Sequence, residues 1–159
     1  MKLAKPAVLP DGSATQPLMP TWLSVVRVYH LCEAVMAKRL GALDIGIGEH
    51  EILNNLLATP GLTQQRLAER VFQAKSGVSM LVRRMEKARL LDRRPDQRDA
   101  RVRRLHLTKS GEALARKAQR IQSEIIVAMA GGSSASELLG VFKVMSRSAT
   151  QLEALLEEP

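Results

Sequence analysis

Eleven cations stand within thirty residues of this chain: Lys75, Arg83, Arg84, Lys87, Arg89, Arg93, Arg94, Arg98, Arg101, Arg103 and Arg104. The same window holds four carboxylates, Glu86, Asp92, Asp96 and Asp99, so it carries +7 of the net +8 on all 159 residues. Lysine and arginine at this density bind phosphates, lysine as a point charge and arginine as a planar fork. The chemistry to expect is recognition of a polyanion rather than turnover of a substrate.

Little else in the chain is reactive. Cys32 is the single cysteine, which excludes an intramolecular disulfide and any multi-cysteine zinc site. His30, His50 and His106 are scattered, and no metal is expected. There is no Gly-rich phosphate loop and no Ser/His/Asp order worth defending. Glu49-His50-Glu51 reads as a helix start. The reading is of a non-enzyme without cofactor. No apolar run approaches the roughly 20 residues of a membrane span, and 1–20 lacks the apolar stretch of a signal peptide. The expectation is a cytoplasmic protein with no membrane partner.

The elements that position the cations follow from composition and periodicity. Apolar content of 45% with only 3% aromatics calls for an aliphatic core and favours packed helices. Residues 1–20, with four prolines, read as an arm. A single domain is expected over 21–159. Helices are predicted over 21–43, 49–57, 63–71, 74–89, 108–129 and 134–157, with Thr63 and Thr108 as caps and Ser134/Glu137 in capping-box spacing. Phe72-Gln73 is a short turn. Strands are predicted over 90–94 and 101–107, joined by a loop over 95–100.

Two short helices joined by a tight turn, the second basic, make a helix-turn-helix pattern. Leu67, Ala68 and Val71 would face Val78, Leu81, Val82 and Met85. The opposite face of the second helix then carries Ser76, Ser79, Met80, Arg83 and Lys87, with Lys75 at its N-terminal end. The hairpin bears arginines on both arms. A carboxylate beside an arginine in its loop can hold the guanidinium in one rotamer, so Asp99 is expected to orient Arg101 for entry into a minor groove. The expected DNA-facing set is Thr63, Gln64, Lys75, Ser76, Ser79, Met80, Arg83, Lys87, Arg98, Asp99, Arg101 and Arg103.

The segments from Leu62 to Arg70 and from Met85 to Asp96, with Asp99-Ala100-Arg101 and Leu107-Thr108-Lys109-Ser110-Gly111, resemble the multiple-antibiotic-resistance regulator (MarR) family, nearly without gaps over 43–111. The resemblance implies a mainly α (α+β) fold: a winged helix-turn-helix with a two-stranded β wing over about 44–108, plus N- and C-terminal dimerisation helices at 21–43 and 108–157. It implies a bacterial homodimeric regulator on palindromic DNA, usually a repressor of a neighbouring operon released by a small effector. The wing's Asp-x-Arg pattern falls on Asp99 and Arg101. Ala74, Gly77 and Met80 replace polar or charged residues frequent in the family, which shifts affinity toward phosphate and wing contacts.

An aromatic or anionic effector would have Trp22, Tyr29, His30 and His50 as candidate ligands. Two alternatives stay open: redox sensing through Cys32, which lies about ten residues beyond the sensing cysteine of peroxide-responsive members, and a winged-helix module acting mainly in protein–protein interaction.

Overall fold

A computed structural model describes residues 18–71 and 75–157. Most of the predicted arm, the Phe72-Gln73 turn and Ala74 lie outside the described residues. The order of elements is α1 (Leu18–Gly41), α2 (Ile47–Ala58), β1 (Leu62–Thr63), α3 (Gln64–Ala68), α4 (Lys75–Lys87), β2 (Leu91–Pro95), β3 (Arg103–Leu107), α5 (Lys109–Ala130) and α6 (Ala135–Glu157).

Helix α1 starts three residues before the predicted point. Pro20 sits in its first turn, where the missing N–H would have no partner in any case. Residues 18–20 are therefore helix and not arm. After Gly41 the chain turns through Asp44 at φ 55°. Helix α2 begins at Ile47, two residues early, because the Glu49 carboxylate reaches back to accept the Gly46 N–H at 2.8 Å. Its end is followed by Gly61 at φ +81°, where a Cβ would lie 3.3 Å from the His106 ring. Glycine is the residue that takes both the backbone angle and the close approach.

The sheet has three strands in the order β1-β3-β2, all antiparallel. The wing was expected to have two. Leu62 and Thr63 add the third by pairing with Leu105 and Arg104. The β2–β3 arm sets Leu91 opposite Leu107 and Arg93 opposite Leu105. Leu91, Leu105 and Leu107 are buried, so one face of the sheet meets the helices and the arginines stand around the rest. The connection is displaced from the predicted 95–100 to 96–102, closed by Asp96 N–H to Val102 O and Val102 N–H to Asp99 O, both 2.9 Å.

The chain forms two compact units, Met1–Gln122 and Ser123–Pro159. The first has an aliphatic core: Leu40, Ile52, Leu53, Leu56, Leu67, Val78, Val82, Met85, Leu91 and Leu105 are all fully buried. Its helix α1 buries Met36 and Leu40 but leaves Trp22, Leu23, Val28, Tyr29 and Leu31 exposed. In the second unit α6 buries none of its residues and exposes Leu138, Leu139, Val141, Phe142, Leu152, Leu155 and Leu156. Ser134 accepts the Glu137 N–H at 3.3 Å while Glu137 accepts the Ser134 N–H at 2.7 Å. The Ser134 N–H and then the Ser134 Oγ–H, both donating to the carboxylate at 2.7 Å, hold the Glu137 carboxyl below its ordinary range. No single described helix is long and apolar enough to cross a membrane.

Candidate nucleic-acid interface

Helix α4 is amphipathic in the predicted sense. Val78, Val82 and Met85 recur at helical spacing and are fully buried. The opposite face is solvent-exposed and carries Ser76, Met80, Arg83 and Lys87, with Ser79 half-buried on its flank. Met80 is 66% exposed, a high figure for a large apolar side chain.

The structure sorts the cations into two classes. Arg84 is gripped through two bonds by the buried Glu49 of α2, Nε to Oε1 at 2.8 Å and Nη2 to Oε2 at 2.7 Å. Arg94 holds Asp92 through two bonds of 3.1 Å. Arg93 donates to Glu86 at 3.1 Å and to Gln64 Oε1 at 3.0 Å. Arg104 donates to Asp96 and, through Nη1, to Gly61 O at 2.8 Å. These four arginines bind their own chain. Arg83, Lys87, Arg89, Arg98, Arg101 and Arg103 are exposed and have no carboxylate partner among the described residues. They lie on α4, the turn after it and the wing.

The wing tip is organised differently from the expectation. Asp99 does not hold the Arg101 guanidinium. Its Oδ1 accepts the Arg101 backbone N–H at 2.9 Å, because two residues along a tight turn a short carboxylate meets the main chain first. The carboxylate that grips a guanidinium here is Asp96. Its Oδ2 takes Arg104, and its Oδ1 accepts the Arg98 N–H at 2.8 Å and the Asp99 N–H at 3.2 Å. Arg104 first, then the Arg98 N–H, pulls the Asp96 carboxyl down to about 2. Sequence reasoning passed over Asp96. The usable signal was the hairpin pairing, since Asp96 lies one step beyond Pro95, and Pro95 and Arg94 oppose Arg103 and Arg104.

The remaining predicted residues fall as follows. Thr63 caps α3 by accepting the Arg66 N–H at 3.2 Å. Gln64 has both ends of its carboxamide engaged within the chain. Lys75 is the first residue of α4.

The four candidate effector residues do not come together. Trp22, Tyr29 and His30 are exposed on α1, with the Tyr29 and His30 rings edge to face at 5.5 Å. His50 is buried on α2, its Nε2 3.1 Å from Asn54 Nδ2, and Asn54 also donates to Gln122 at 3.1 Å. Burial pushes the His50 pKa down, partly opposed by Gln122. Cys32 is half-buried on α1. No group of three or more His, Cys, Asp or Glu capable of holding a metal occurs among the described residues.

Known proteins resemble the chain in one stretch of sequence and in fold. Residues 43–102 match the model described as MarR family. No curated protein matches the chain. A crystal structure of a MarR family transcription regulator superposes with a TM-score of 0.82 at 23% identity, covering 91% of this chain and 96% of its own. The DNA complex of Staphylococcus aureus MepR gives 0.73 at 24% identity, covering 80% and 93%. Apo wild-type MarR from E. coli gives 0.66 at 15% identity, covering 78% and 93%. Residues 43–102 thus resemble the MarR family, and the chain has the fold of the MarR-family transcription regulators.

Proposed function

We propose that the chain is a homodimeric, sequence-specific double-stranded-DNA-binding regulator, acting in the cytoplasm as a repressor of a neighbouring operon and released by a small aromatic or anionic effector. The observation that carries the DNA reading is the sorting of the cations. Four arginines are tied down internally, while six cations on α4, the turn after it and the wing stay available to phosphates. A solvated basic face with no partner would need no such division. In this reading Ser76, Ser79, Met80 and Arg83 of α4 meet the major groove, with Lys75 and Lys87 beside them. Arg98, Arg101 and Arg103 carry the wing to the backbone and minor groove. Thr63, Gln64 and Asp99 position these groups.

The dimer is supported by apolar surface. Helix α1 and helix α6 each expose a run of large apolar side chains, more than a monomer ordinarily leaves in water. The effector is supported by the buried polar group on α2, where His50 Nδ1 and Asn54 Oδ1 have no hydrogen-bond partner among the described residues.

The test is protection mapping on the DNA upstream of the chain's own gene, together with light scattering of the protein alone. A dimer protecting a palindrome with half-sites about 10 bp apart is the expected result. A monomer, or a dimer that protects nothing at low ionic strength, refutes the reading.

A further inference from the structure

Gln64 sits at the first turn of α3 with its carboxamide reached from two sides. Arg93 of β2 donates Nη2–H to Gln64 Oε1 at 3.0 Å, and Gln64 Nε2 donates to Ser79 Oγ of α4 at 2.8 Å. Arg93 is itself held by Glu86 at 3.1 Å. This chain of hydrogen bonds has a direction. A guanidinium only donates, so the carboxamide must turn its oxygen to Arg93 and its NH2 to Ser79. The Ser79 oxygen is then an acceptor on its inner side. Its own O–H hydrogen has no acceptor among the described residues and is left to point elsewhere. Ser76 and Arg83, one turn to either side of Ser79, lie on the exposed face of α4.

We propose that Gln64 is a positioning residue for sequence readout: by donating to one Ser79 lone pair from inside, it keeps the O–H outward, so that the DNA surface meets a donor with a single lone pair beside it. An unconstrained serine reads donors and acceptors alike. Ser79 held in this way favours an acceptor on a base edge, such as purine N7, guanine O6 or thymine O4, over an amino group, because its one O–H is outward and one of its two lone pairs is already filled. The proposal rests on the DNA-binding reading and names one determinant of its specificity.

The experiment is selection of duplexes from a randomised library by the full-length chain at one fixed, low salt concentration. The wild type is expected to prefer one base at a single position of each half-site by roughly three- to tenfold, the range of one neutral hydrogen bond. Ser79→Ala should flatten that position alone. In Gln64→Glu the carboxylate accepts from both Arg93 and the Ser79 O–H, so the hydroxyl donates inward and offers lone pairs outward. The preferred base at that same position should then change while the other positions stay. The double variant should match Ser79→Ala. If Gln64→Glu selects the wild-type base, or Ser79→Ala leaves every position unchanged, the proposal is overturned. Should Gln64→Glu lose its helical circular dichroism, Gln64→Met replaces it. The hydroxyl is then free to reverse, so a flattened position supports the proposal and an unchanged one overturns it. A wild-type chain that enriches no duplex refutes the DNA reading itself, an outcome distinct from enrichment insensitive to Gln64.

Discussion

Gly111 is the residue whose replacement should hurt this fold most for its size. A Cβ at that position would stand 1.9 Å from the Leu90 carbonyl oxygen and 2.9 Å from the Leu90 carbonyl carbon. To restore an ordinary contact, the start of α5 and the turn after α4 must separate by roughly 1.5 Å. Three hydrogen bonds bridge that gap: Thr108 N–H to Leu90 O at 3.1 Å, Thr108 Oγ1–H to Arg89 O at 2.7 Å, and Ser110 Oγ–H to Arg89 O at 3.0 Å. Each contributes about 1 kcal/mol, less where water replaces it. Residual crowding adds about 1–3 kcal/mol. The better helix propensity of alanine offsets about 1 kcal/mol. Gly111→Ala is therefore expected to destabilise by about 2–4 kcal/mol, lowering the midpoint of urea unfolding, followed by circular dichroism, with an unchanged slope. Gly41→Ala, where an added Cβ meets nothing within 4 Å, should stay within about 0.5 kcal/mol of wild type. A loss below about 1 kcal/mol for Gly111→Ala would refute the reasoning, because the junction would then yield without losing its bonds.

Arg84→Ala leaves the buried Glu49 carboxylate without its guanidinium and should cost about 2 kcal/mol in the same assay, while adding Glu49→Gln should recover part of that. If Arg84→Ala and the double variant unfold at the same urea concentration, the pair is not coupled. For DNA binding, Arg103→Ala or Lys87→Ala should each reduce the slope of log affinity against log salt by about 0.9. Arg94→Ala should leave the slope unchanged, since that side chain is occupied with Asp92. At A·T-rich flanks Arg101→Ala should weaken binding more than Arg103→Ala, and equal losses in fluorescence anisotropy would count against minor-groove insertion. The neutral His50 imidazole is favoured by burial, so its folded pKa lies below the 6.5 of the unfolded chain. The unfolded state therefore binds the proton first, and stability should fall as pH drops below about 6.5. His50→Gln should flatten that profile between pH 7.5 and 5.5, and an unaltered profile would place the titration elsewhere.

What could be read from the sequence was what short-range physics decides. The buried stripe Val78, Val82 and Met85 shows in spacing alone, as do the caps at Thr63 and Thr108 and the Ser134/Glu137 box. Each involves residues within a turn or two of one another. The features that escaped depend on distant partners. A two-residue strand has no periodicity of its own, and β1 exists because Leu62 meets Leu105 more than forty residues on. Glu49 looked like a helix start, which it is, but its second partner Arg84 is 35 residues away. The Asp-x-Arg spacing points to Asp99 because it is visible in one dimension, whereas the grip of Asp96 on Arg104 requires the hairpin to close. Gln64 reads in the sequence as a DNA-facing residue, and its ties to Ser79 and Arg93 depend on two elements 15 and 29 residues away. Even the early start of α1 followed this rule, since Pro20 is a breaker only where a preceding turn needs its N–H.

Thr63 is at once the last residue of β1 and the cap of α3. No slack chain separates the sheet from the helix that follows, so a force bending the wing is carried through the β1–β3 ladder into the first turn of α3. The wing is in this sense a lever with its fulcrum at Leu62–Thr63 rather than a freely hinged flap. A duplex that fits the tip poorly would tilt α3 as well.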